Sequence, residues 1–209
     1  YSTTPEDVGK LFCKRAFDLT AVLVGLIIIS PLLLIISLGV RISSSGPVFF
    51  KQRRIGLNGR VFWCYKFRSM VQNAEALQEQ LETQNELSGP VFKIKKDPRV
   101  TTIGYWLRKY SLDELPQLYN VLRGDLSLVG PRPLLMEYLP LYSSEQFRRH
   151  EVRPGVTGWA QVHGRNAISW EDKFELDLWY VDNRTFLLDL KILFLTVKKV
   201  LVRDGINGE

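Results

Sequence analysis

The sequence predicts a helix-rich α/β protein with one membrane-inserted apolar helix. Three observations carry that prediction: an uncharged run from Leu19 to Val40, a Gly-Leu-Asn-Gly turn between two β-rich runs, and helix-period stretches towards the end of the chain. The run LTAVLVGLIIISPLLLIISLGV has 22 residues. As a helix it reaches roughly 33 Å, against a hydrocarbon core of about 30 Å. Ser30-Pro31 stands at its middle, where proline removes a donor and its ring presses on a carbonyl one turn back, so each half reaches only about 17 Å. Lys10, Lys14 and Arg15 precede the run, and Arg41, Lys51, Arg53 and Arg54 follow it. The positive-inside rule therefore directs both flanks to the cytoplasm. Two readings stay open: a proline-kinked single span whose freed carbonyl a serine hydroxyl partly satisfies, and a re-entrant helix that enters and returns at Ser30-Pro31. A cleaved signal peptide does not fit, because the run exceeds the ~7–15 residues of an h-region and no A-x-A-like site follows.

Outside this run lies all of the net charge of +6, from 28 Lys and Arg against 22 Asp and Glu. The mean hydropathy of −0.05 is thus an average over two unlike parts, residues 1–45 for the membrane and 46–209 for one cytoplasmic domain. Cys13 and Cys64 are too few for a disulfide framework, and with His150 and His163 they give no zinc-ligand spacing. Basic residues are interspersed with acids rather than gathered in a tract, so no nucleic-acid partner is expected.

The elements follow in order. Val48 to Met70 reads as a hairpin about Gly56-Leu57-Asn58-Gly59. Alternation along its second strand puts Val61, Trp63, Tyr65 and Phe67 on one face, and Phe62, Cys64, Lys66 and Arg68 on the other. Val71 to Glu86 reads as an exposed helix, Ser88-Gly89-Pro90 as a break, VFKIKK as a strand, and Asp97-Pro98 as a turn before a short helix from Thr101 to Lys109 that bears Arg108. Ser169 starts a helix to about Val181, with Trp170, Phe174, Leu178 and Val181 on one side. Phe186 to Val202 reads as an amphipathic helix for the core or the membrane surface.

Chemistry concentrates in SLDELPQLYNVLRGDLSLVGPRP, from Ser111 to Pro133. Asp113 and Glu114 are adjacent carboxylates near the start of a helix expected to end at Gly124. Ser111-x-x-Glu114 fits a capping box, although Pro116 conflicts with a helix begun at Ser111 and moves its start towards Leu115. Two neighbouring negative charges call for a hard cation, and without a Cys/His ligand set the choice is Mg²⁺ or Mn²⁺. Arg108, Arg123, Arg132 and Arg153 supply forks that suit phosphate, two of them beside prolines that restrict the backbone. Carboxylates, metal and arginines together suggest phosphoryl transfer. P-loop, dinucleotide and nucleophile-elbow signatures are absent, and the two histidines read as structural or surface residues rather than bases.

With YKFRSM before it and RPGVTGWAQVHGRN after it, this segment resembles the monotopic bacterial phosphoglycosyl transferases, along nearly the whole chain from Lys14-Arg15-x-x-Asp18 to the last helix. The resemblance implies a re-entrant helix broken at Ser30-Pro31, a catalytic domain on the cytoplasmic face of the bacterial inner membrane, and two substrates, a UDP-sugar and polyprenol phosphate. It implies that Asp113 attacks the sugar-linked phosphate and expels UMP, and that polyprenol phosphate then takes the phosphosugar, with Mg²⁺ held at Asp113 and Glu114. Lys66, Arg68, Arg108, Arg132 and Arg153 match basic positions of the family, assigned to phosphate and nucleotide. Gln117, Asn120, Asn166 and Asp177 match polar positions of the family, and the resemblance implies that they too contact substrate. Two other functions compete: a membrane-anchored adaptor that binds anionic lipid without catalysis, and a lipid-phosphate hydrolase.

Overall fold

A computed structural model of the chain describes residues 8–80, 94, 97–164 and 168–202. Helix α1 (Val8–Ser43) runs without interruption through Pro31, so Ser30-Pro31 is not a break in helical structure. The local chemistry explains the continuity. Pro31 cannot donate to Ile27 O, and Ser30 Oγ donates to that same carbonyl at 2.9 Å. Along α1, Asp18 and Val22 are buried near one end and Ile36 and Val40 near the other, while Ile27, Ile28, Leu34 and Ile35 between them are exposed.

Strands β1 (Phe49–Ile55) and β2 (Val61–Phe67) form the expected antiparallel hairpin. Asn58 lies in the left-handed region at φ 53° and Gly59 at 75°, as a tight Asn-Gly turn requires. The alternation holds for Phe62 and Cys64, which are buried beside Val22, Val121 and Leu126. Phe67 is buried although Val61 and Trp63 on its own face are exposed, because the far end of α1 covers that position with Ile36 and Val40. The two ends of α1 thus pack on two different core clusters of one domain.

Helix α2 (Ala74–Gln80) is the described part of the helix expected to reach Glu86; the rest, the break and most of VFKIKK lie outside the described residues. Helix α3 (Thr102–Lys109) is capped by the Thr101 side chain. After α4 (Gln117–Arg123), which Gly124 ends at φ 87°, come two three-residue strands that the sequence did not announce, β3 (Ser127–Val129) and β4 (Gly155–Thr157), paired in parallel. Gly130 and Gly155 meet there so closely that a Cβ on Gly130 would lie 2.9 Å from Gly155 N. Helices α5 (Ser144–Phe147), α6 (Trp159–His163), α7 (Trp170–Asn183) and α8 (Phe186–Val202) complete the domain. A Ser169–Asp172 capping box starts α7, and its buried side carries Asp177 and Tyr180 besides the expected Val181. On α8, Ile192 and Asp189 are buried while Leu187, Phe194 and Val197 are exposed, the amphipathic pattern that was expected.

The cations before the apolar run do not act as simple flanks. Lys14 Nζ donates to Asp189 at 2.5 Å and to Val129 O at 3.2 Å. Arg15 donates to Val121 O at 2.7 Å and Leu122 O at 3.0 Å, satisfying the last carbonyls of α4. Asp18 accepts from Ser127 Oγ at 2.7 Å. Polar bonds therefore weld α1 to the domain before its apolar part begins.

Candidate active site

The turn that bears the two carboxylates differs from the capping box read in the sequence. Ser111 sits at φ 55°, ψ 21° and its side chain caps nothing; Leu112–Glu114 is a single 3-10 turn, and α4 begins only at Gln117, directly after Pro116. Proline before the first helical residue is permitted because its missing N–H has no helical partner to lose. The acids thus stand ahead of α4, where strand β2 supplies Lys66 between them.

Their surroundings are unequal. Glu114 accepts from Lys66 Nζ at 2.7 Å and from Arg132 through both oxygens, at 2.6 and 3.3 Å. Burial pushes its carboxyl up, but Arg132 and Lys66 together outweigh burial and hold it well below the usual carboxylate range. Glu114 in turn raises the Arg132 guanidinium. Asp113 is 8% exposed and, among the described residues, accepts no hydrogen bond; Lys66 Nζ lies 3.9 Å away. Burial raises its carboxyl, Lys66 opposes the rise, and Glu114 adds to it. One carboxylate is held in its charged form by two hydrogen-bonded cations, while its neighbour accepts no hydrogen bond among the described residues and has Lys66 only at 3.9 Å. Such divergence marks groups with different chemical roles.

Beside the dyad lies an open pocket lined by Arg54, Cys64, Lys66, Gln117, Arg132 and Pro133. Of the residues singled out from sequence, Lys66, Gln117 and Arg132 line it. Arg108 donates to Ser69 Oγ at 3.0 Å; its guanidinium is lowered by burial and supported by Asp113. The other residues make contacts of a different kind. Arg68 is buried and donates to Val40 O and Ser44 O at the end of α1. Arg153 donates to Gly124 O at 3.1 Å. Asn120 straps α4 to β2, accepting from Tyr65 N at 3.1 Å and donating to Trp63 O at 2.7 Å. Asp177 pairs with Arg149 at 2.5 Å in the interior. Asn166 lies outside the described residues.

Sequence reasoning missed Arg54, which lines the pocket, and Arg149, which lies outside the lining and donates to Arg132 O at 2.8 Å. Arg54 had a usable signal, since the hairpin register pairs it with Phe62 and so places it on the Cys64 and Lys66 face. Arg149 had none, because its partners are distant in sequence.

The bacterial sugar transferase profile matches residues 9–203. The chain belongs to the bacterial sugar transferase family. Among its sugar transferase relatives, an uncharacterized sugar transferase EpsL of Bacillus subtilis is 56% identical over 197 residues, covering 94% of this chain and 91% of the relative. Undecaprenyl-phosphate galactose phosphotransferase of Salmonella typhimurium is 43% identical over 198 residues, 93% of this chain and 41% of the relative. Undecaprenyl-phosphate glucose phosphotransferase of Komagataeibacter xylinus is 43% identical over 201 residues, 89% of this chain and 35% of the relative. This sugar transferase chain therefore spans nearly all of the first relative and less than half of the other two.

Proposed function

We propose that this protein transfers a sugar 1-phosphate from a UDP-sugar to polyprenol phosphate, in two steps through a phosphosugar bound to Asp113. The observation that carries the reading is the unequal dyad: a buried carboxylate that accepts no hydrogen bond among the described residues, beside one fixed by Lys66 and Arg132. The names of the Salmonella and Komagataeibacter relatives support the polyprenol-phosphate acceptor.

In the first step an Asp113 oxygen forms a bond to the phosphorus next to the sugar, the diphosphate bridge breaks, and UMP leaves with the electron pair. In the second, an oxygen of polyprenol phosphate attacks the same phosphorus and Asp113 departs as carboxylate. Both nucleophiles react as anions, a carboxylate and a phosphate, so neither step needs a base. That agrees with a site whose lining holds no histidine among the described residues. Lys66 and Arg132 face the charge that develops on the transferred oxygens and supply donors fixed in advance.

The donor set suits Mg²⁺. Asp113 offers oxygens with free lone pairs, while those of Glu114 are engaged by Lys66 and Arg132, so the protein would supply few of the ligands. Water and substrate phosphates would complete the coordination, as is usual for this ion. Bound there, Mg²⁺ would neutralise diphosphate charge.

Helix α1 is long and apolar enough to cross a membrane. The packing of both its ends on one domain supports the re-entrant reading, and the basic residues on both flanks of the apolar run support a cytoplasmic face for that domain. Exposed Cys13 and an engineered Ser45→Cys bracket the apolar run. An impermeant thiol reagent should reach both from the same side of sealed vesicles, whereas labelling from opposite sides would restore a single span. The activity itself is tested by UMP release from a panel of UDP-sugars, with Mg²⁺ and undecaprenyl phosphate present. Release with at least one sugar is expected; none with any would favour a non-enzymatic anchor.

A further inference from the structure

The segment carrying Arg132 is built to be held through its carbonyls. Pro131 and Pro133 have no N–H to give, and four consecutive carbonyls each find a donor from elsewhere in the chain. Pro131 O accepts from Gly155 N at 2.9 Å, Arg132 O from Arg149 Nη2 at 2.8 Å, Pro133 O from Arg54 Nη1 at 3.1 Å, and Leu134 O from Ile55 N at 3.3 Å. Arg149 is the only one of these donors that is itself one half of a buried ion pair among the described residues. It is 2% exposed, and its Nε and Nη2 both reach Asp177 Oδ2, at 3.2 and 2.5 Å. Asp177 Oδ1 is buried without a partner. Folding alone gives little reason for such an arrangement, since well-packed apolar residues usually replace a buried ion pair at no loss of stability. What the pair uniquely supplies is a rigid donor to the backbone of the residue that grips Glu114.

We propose that Arg149, oriented by Asp177, is a positioning residue for Arg132, fixing its carbonyl and thereby the guanidinium that clamps Glu114. This rests on the site reading given above, and it moves Asp177 from the substrate-contacting role implied by resemblance to a supporting one. Preorganisation explains why a loop needs such support: a fork displaced by about 1 Å loses much of its value in the transition state.

Arg149→Lys keeps a cation for Asp177, but one ammonium cannot both pair with that carboxylate and reach Arg132 O in the same geometry. In detergent-purified full chain, Arg149→Lys should lower kcat at least about tenfold while KM for the UDP-sugar stays within about threefold. In an Arg132→Ala background the same change should cost less than about twofold, because residues that act through one another are not additive. Equal losses in the two backgrounds would overturn the proposal. A second arm needs no turnover. Phenylglyoxal labelling followed by mass spectrometry should find Arg132 several-fold more reactive in Arg149→Lys and Asp177→Asn than in wild type, with exposed Arg60 as the internal reference. Unchanged labelling of Arg132 overturns the positioning role even if no UDP-sugar turns over, and faster labelling in a protein without activity would fault the assigned reaction instead.

Discussion

Arg132 binds Glu114 through two hydrogen bonds, at 2.6 and 3.3 Å, from a fork that remains 46% exposed at the mouth of the pocket. A pair at such a mouth is worth little as stability, because solvent screens it. Its value lies in presenting one fixed cation to an anionic substrate while keeping Glu114 ionised.

Arg132→Lys therefore keeps the charge and loses the fork. A charge-assisted hydrogen bond is worth about 1.5–3 kcal/mol, so kcat/KM should fall roughly tenfold to a hundredfold with little change in melting temperature. Steady-state kinetics with a thermal scan checks both halves of this statement, and a lysine variant as active as wild type would show that geometry is unimportant there.

His150 is 4% exposed and sits between Tyr142 and Phe147. Burial first, then Arg149, lowers its imidazole from 6.5 to about 4, with a backbone hydrogen bond to Gly56 opposing the shift. Between those two values the unfolded chain binds the extra proton, so stability rises with pH through this window and is lost as pH falls through it. The contribution is about 3 kcal/mol. Melting temperatures from pH 7 to 4 should decline less steeply for His150→Gln than for wild type; parallel declines would remove His150 as the cause.

Lys14 compensates Asp189, which is 4% exposed and also accepts from Tyr180 at 2.7 Å. Removing the cation alone leaves a buried carboxylate without its counter-charge, a change that costs about 3–5 kcal/mol. Lys14→Met should therefore lower the melting temperature markedly, and Lys14→Met with Asp189→Leu should recover much of the loss. A double variant as unstable as the single one would mean that the ion pair does not join α1 to α8.

What was legible in the sequence followed from local pattern. The Asn-Gly hairpin, the Gly124 helix end, the Ser169 start and the amphipathic α8 each depend on residues a few positions apart. Phe67 is buried against Ile36 and Val40 at the far end of α1, a long-range contact that period-2 reasoning cannot foresee. The parallel β3–β4 pair was hidden because each strand has only three residues and exists through its partner. Lys14 and Arg15 read as membrane flanks since charge pattern cannot reveal that Asp189 and the α4 carbonyls wait for them. In the site, the dyad with Lys66, Gln117 and Arg132 was visible as a motif, whereas the support from Arg149 exists only where distant segments meet.

The central claim is that Asp113 carries the phosphosugar. Wild-type protein incubated with a UDP-sugar labelled in the sugar, without polyprenol phosphate, then denatured and digested, should retain label on the peptide that contains Asp113, and adding polyprenol phosphate before denaturation should remove it. Asp113→Asn should retain none. Label that persists in Asp113→Asn, or that maps to another residue, contradicts the account.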